Sequence, residues 1–119
     1  MPARLRPADA NAVAEARARL DAGQAAPADL RLLTKHFLAL LETRAPGKSV
    51  EVRVPPYAAV QVVEGVRHTR GTPPAVVEMD AATWIALATG ALDWPAAYDS
   101  ARVRASGERA DLAPYLPLG

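Results

Sequence analysis

The chain has 119 residues, 14 basic and 13 acidic side chains, two histidines and no cysteine, which removes several function classes at once. That length holds one hydrophobic core; a formal charge of +1 gathers neither nucleic acid nor an anionic membrane surface; and without cysteine there are no disulfides, thiolate nucleophiles or cysteine metal sites. No apolar run approaches the roughly 20 residues of a membrane span, the charged N-terminal stretch lacks a secretory h-region, and "PYLPLG" is no targeting tripeptide, so a cytoplasmic protein without integral membrane association is expected.

Half of the residues are hydrophobic but only 5% are aromatic, so the core must be built from Val, Leu and Ala. Residues 8–22 read as a first helix: Asp9 or Asn11 can cap it, Val13, Ala16 and Leu20 share a face, and Gly23 ends it. A second helix opens with Pro27 and Asp29, and Leu30, Leu33, Phe37, Leu40 and Leu41 recur at helical spacing until Ala45-Pro46-Gly47.

The period then changes to two. In "SVEVRV" Val50, Val52 and Val54 alternate with Glu51 and Arg53, giving a half-buried strand that Pro55-Pro56 breaks. "YAAVQVV" (57–63) is apolar on nearly both faces, which predicts a strand inside the sheet, covered on both sides. A polar connection, "EGVRHTRGTPP" (64–74), leads to a short strand at 75–78. Asp80 and Gly90 frame a helix as N-cap and left-handed C′ residue. Asp93 caps another short helix holding Trp94 and Tyr98, "ARVRASG" (101–107) alternates as a strand, and Asp111 starts a helical turn kept short by Pro114 and Pro117. The order α-α-β-β-β-α-α-β-α, without repeats or linkers, predicts a single α+β domain over 1–119, with residues 1–26 as a helical extension.

Reactive constellations are scarce. There is no G-x-S-x-G, H-E-x-x-H, phosphate-binding P-loop or G-x-G-x-x-G. His36, beside Phe37, reads as a packing residue with one hydrogen-bonded nitrogen. Arg67, His68 and Arg70 on "RHTRGTPP" are candidate anion-binding groups for a carboxylate, phosphate or acyl-thioester headgroup. The competing reading is a solvated hairpin loop whose arginines pair with Glu64 or Glu78. Glu78 and Asp80 are two residues apart, but Asp80 is better used as a cap.

The stretch "MDAATWIALATG" (79–90) carries more apolar surface than a one-sided surface helix needs, since only its threonines are polar. Both of its long faces should be covered. With Trp94 and Tyr98 close behind, an aromatic-lined concavity for a small molecule stands against plain core packing.

"VEMDAATWIALATGALDWPAAYDSARVRASGERADLAPYL" (77–116) resembles the C-terminal half of sterol carrier protein domains of the type-two fold, through Val77, Asp80, Thr89-Gly90, Ala96, Val103–Ser106 and Gly107-Glu108. With "SVEVRVPP" (49–56) and "RHTRGTPP" (67–74) in the same order, the chain resembles the stand-alone sterol-carrier-like proteins of actinobacteria from about residue 30 onward. The resemblance implies helices on one face of a mixed, mostly antiparallel sheet, with an apolar cavity between the two. It implies a lipid carrier rather than an enzyme, with no cofactor and no metal. The ligand-binding residues expected are Trp84, Ile85, Ala88, Trp94 and Tyr98 from the helices and Val60 and Val62 from the sheet. The partner expected is an apolar small molecule, either a fatty acyl chain or a sterol-like compound. The alternatives are a closed interaction module, as a homodimer for instance, and anion or acyl-thioester binding through Arg67, His68 and Arg70.

Overall fold

A computed structural model describes residues 4–65, 75–107 and 110–119. Helix α1 spans Ala10–Asp21 and α2 spans Pro27–Arg44. Strands β1 (Val50–Val54), β2 (Ala58–Val62) and β3 (Ala75–Met79) precede α3 (Ala81–Thr89) and α4 (Trp94–Asp99). Strand β4 (Val103–Ser106) and a 3-10 turn at Ala113–Tyr115 complete the α+β fold.

Aspartates start three of the four helices. Asp9 accepts from the backbone N–H groups of Asn11 and Ala12, Asp80 from that of Thr83, and Asp93 from that of Ala96. Each carboxylate satisfies N–H groups that the first helical turn leaves without intrahelical partners. At α2 the duty passes to Asp29, whose carboxylate reaches back to the Ala26 N–H at 3.0 Å. Gly90 stops α3 with φ of 84°, a left-handed conformation that glycine adopts without steric cost.

The sheet has the order β2-β1-β3-β4. β1 runs antiparallel to β2 and parallel to β3, and β3 runs antiparallel to β4, so the sheet is mixed and mostly antiparallel. Its inner face carries Val50, Val52, Val54, Val60, Val62, Val77, Met79 and Val103, all buried. Its outer face carries Glu51, Arg53, Gln61, Glu78, Arg104 and Ser106, half-buried or exposed. Arg53 and Glu51 form an ion pair there. This is the in-out alternation of a sheet with one face packed and one wet.

Two expectations need correction. β2 is an edge strand rather than an inner one, and only its inner face is buried: Ala59 and Gln61 are exposed. Alanine misled the reading, because a small apolar side chain costs little on a solvent face and so carries little directional information. The segment 64–74 does not close a hairpin either, since β1 lies between the two strands that it joins.

The ends of α2, β1, β2 and β3 meet in one knot. Val63 N–H donates to the Ala45 carbonyl at 2.7 Å, the Ser49 N–H and hydroxyl both donate to the Val63 carbonyl, and Ala75 N–H donates to that of Ser49. Val63 has φ of 67°, a left-handed conformation rare for a β-branched residue, and these bonds hold it there. Gly47 makes the approach feasible: a Cβ at that position would lie 2.1 Å from the Val63 carbonyl oxygen.

α2 rests on β2 and packs against α1 on one side and α3 on the other, while α4 touches β4. The helices thus form a layer across the inner face of the sheet, and the two layers share one continuous core. Among the described residues no helix is long and apolar enough to cross a membrane.

Candidate functional site between the helices and the sheet

The interface of the two layers is almost purely apolar. α2 contributes Leu33, Phe37, Leu38 and Leu41, α3 contributes Trp84, Ile85, Leu87 and Ala88, and the sheet contributes its inner valines. Among the described residues only Asp29, Thr34 and Thr83 are buried and polar. Six of the nine residues of α3 are buried, so the expectation that both of its long faces are covered holds. α2 flanks it. At its far end the C-terminal segment closes in, with the Leu118 and Gly119 N–H groups both donating to the Ala88 carbonyl.

Trp84 lies at the centre of this layer, with none of its surface exposed. Its indole Nε1–H donates to the backbone carbonyl of Thr34 on α2 at 3.2 Å, which satisfies the polar edge of an otherwise apolar ring and couples the two helices. The hydroxyl of the same Thr34 is fully buried and has no hydrogen-bond partner among the described residues.

The residues expected from the sequence fall into two neighbouring groups. Trp84, Ile85, Ala88 and Val62 are deep in the interior, and Val60 is close behind on β2. Tyr98 is 52% exposed and, with Trp94, Ala105, Gly107, Ala110 and Asp111, lines an open concavity of about 320 Å³ beside α4 and β4. Trp94 is 8% exposed and joins the groups, as part of both the core and the wall of this concavity. Arg67, His68 and Arg70 lie outside the described residues. A second open concavity, about 330 Å³, mixes Glu78, Asp80, Arg102 and Arg104 over Met79, Pro55 and Ala101.

Titratable groups here serve structure. Hydrogen bonds from Thr83, side chain and backbone, hold the Asp80 carboxyl below the ordinary carboxylate range, as a helix cap requires. His36 packs its ring edgewise against Phe37 with centroids 5.0 Å apart, and its Nδ1 accepts the Ala8 N–H at 3.0 Å. Burial, and then the nearby Arg17 charge, push its pKa below the ordinary imidazole value. Among the described residues no group of three or more His, Asp or Glu is placed to hold a metal ion.

Several interior residues escaped the reading of the sequence, Leu38, Leu87, Thr34, Leu112 and Leu118 among them. Thr34 occupies the helical stripe of Leu30, Phe37 and Leu41, and that spacing alone marks it as buried. Leu112 and Leu118 are buried from a proline-rich tail, where no periodicity signals a core position.

No curated protein matches the chain. The family model described as bacterial SCP ortholog matches residues 27–118, from the first residue of α2 to the last leucine of the C-terminal segment, and leaves α1 in front of the matched region. The chain therefore belongs to the bacterial family of sterol carrier protein orthologs.

Proposed function

We propose that the protein is a non-enzymatic carrier for an apolar small molecule, a fatty acyl chain or a sterol-like compound, received between α2, α3 and the inner face of the sheet. The observation that carries this reading is the helical layer itself: α3 buries six of nine residues and brings no charged side chain to a wall of valines and leucines. Apolar surface removed from water contributes about 25 cal/mol per Å², so a ligand of this class needs few polar contacts. Membership of the sterol carrier family supports the same reading. Trp84 fills the centre of the layer, and at Trp94 the core shares a wall with the open concavity that Tyr98 lines.

Native mass spectrometry of gently purified protein and titration with a fluorescent fatty acid test the proposal. Saturable one-to-one binding is expected, with a gain of about 2.7 kcal/mol in unfolding free energy at a hundredfold excess of ligand over Kd. No co-purified lipid and no saturable binding would sink it.

The complete burial of Trp84 also favours a second reading, a closed interaction module or homodimer. Trp84 then supplies no interface, since it is wholly buried. Anion or acyl-thioester binding through Arg67, His68 and Arg70 is a third reading, and it predicts that a short-chain acyl thioester binds more tightly than the corresponding hydrocarbon.

A further inference from the structure

Four threonines lie within the described helices, and their hydroxyls are treated differently. Thr43 donates to the Ala39 carbonyl and Thr89 to the Ile85 carbonyl, the usual bond of a helical threonine to the residue four positions back. Thr83 donates its backbone N–H to the cap residue Asp80. The Thr34 hydroxyl makes no such bond, although the residue is wholly buried. An unpaired buried hydroxyl is destabilising, and valine, which has nearly the same shape, would avoid the penalty. Thr34 also offers its backbone carbonyl to the Trp84 indole, so one residue presents two hydrogen-bonding oxygens inside the aliphatic layer.

We infer that Thr34 is the polar anchor of the ligand site, and that the ligand is an apolar molecule carrying one neutral hydroxyl. This rests on the carrier reading. The ligand hydroxyl accepts from the Thr34 Oγ1–H and donates to the second lone pair of the Thr34 carbonyl, beside the indole N–H of Trp84. An ionised carboxylate suits the position poorly: Phe37 and Leu38 on the same face of α2, and Trp84 opposite, bring no charge to compensate it. Thr34 thus selects among apolar ligands by their polar end.

Displacement of the neutral probe N-phenyl-1-naphthylamine by 1-dodecanol, n-dodecane and dodecanoate tests the assignment. The wild-type protein should prefer dodecanol over dodecane by roughly three- to tenfold, the equivalent of one net hydrogen bond, and should bind dodecanoate more weakly than dodecanol at neutral pH. Thr34→Val should abolish the preference and raise the melting temperature of the protein without added ligand. Thr34→Ser, which retains the hydroxyl, should keep the preference. If Thr34→Val keeps the preference for dodecanol, or melts at a lower temperature than wild type, the anchor is refuted and the carrier reading stands. Tighter binding of dodecanoate refutes the choice of a neutral hydroxyl. If none of the probes binds the wild-type protein, the carrier reading falls and takes this assignment with it.

Discussion

An indole with no exposed surface, whose one polar atom bonds a backbone carbonyl of the next helix, ties packing to position. Trp84 can sit deep in an aliphatic layer only because Thr34 presents that carbonyl to it; otherwise the buried N–H would be unpaired at a cost of about 1–3 kcal/mol. Trp84→Ala removes both the ring and the bond. The expected loss is about 3–5 kcal/mol of unfolding free energy, the range for truncating a large aromatic in a packed core, measured by urea denaturation. A loss below about 1 kcal/mol would mean that the site collapses around the missing ring and that the indole is no structural centre. The same residue shows what a sequence conceals. The excess of apolar residues in "AATWIALATG" is legible as burial on two sides, but whether a tryptophan there lines a space or fills it depends on side chains distant in the chain. Thr34 is the case in point, 50 positions away.

At the scale of elements, the link between α1 and α2 is a two-pronged ion pair. The Arg19 guanidinium donates to both carboxylate oxygens of Asp29 at 2.9–3.0 Å, and the Ala26 N–H donates to one of them. These bonds, from Arg19 first and Ala26 second, hold the Asp29 carboxyl below the ordinary carboxylate value. A carboxyl depressed in the folded state contributes its stabilisation above the unfolded pKa of about 4 and loses it as pH falls through the lower folded value. Acidification from pH 5 to 3 should therefore loosen α1 before the sheet, with faster amide hydrogen exchange over Ala10–Asp21 than over β1 and β3. In Asp29→Asn the α1 amides should already exchange fast at pH 5. Uniform exchange across all elements would show that α1 does not open as a unit.

Most elements were legible in the sequence because each has local punctuation: aspartate caps, Gly90 after α3, and the change of period from 3.6 to 2 at Val50. The place of β2 at the edge was not, because strand order is set by partners, and Ala58-Ala59 reads alike against protein and against water. The candidate site was legible as a composition, an aliphatic helix over an aliphatic strand face. Its polar content was not: in the chain Thr34 is one threonine in a leucine-rich helix, and only the fold leaves its hydroxyl without a partner among the described residues.

For the whole molecule, the decisive question is whether one copy suffices. The inner face of the sheet is covered by the protein's own helices, and its outer face is polar. Tyr98 is the one exposed large hydrophobic side chain among the described residues. Among the described residues the surface lacks the extended apolar patch that an obligate dimer buries. Small-angle scattering should accordingly report a monomer, with a radius of gyration near the 14.1 Å of the Cα trace plus about 1–2 Å for side chains and hydration. A markedly larger radius, with a forward intensity of twice the monomer mass, would favour the homodimer.

The parallel pairing of β1 with β3 shapes how the chain reaches this state. β1 and β2 are neighbours in sequence, joined by the turn at Pro55-Pro56-Tyr57, and can pair with little loss of chain entropy. The centre of the sheet cannot form so locally: Val50 faces Ala75 only after β2 and the whole connection to β3 have been gathered in. Helix α3, which begins two residues after β3, cannot settle against α2 until that long loop has closed. Closure of the apolar layer is therefore expected to follow pairing of β1 with β2, and amide exchange during refolding should protect β1 and β2 before α3.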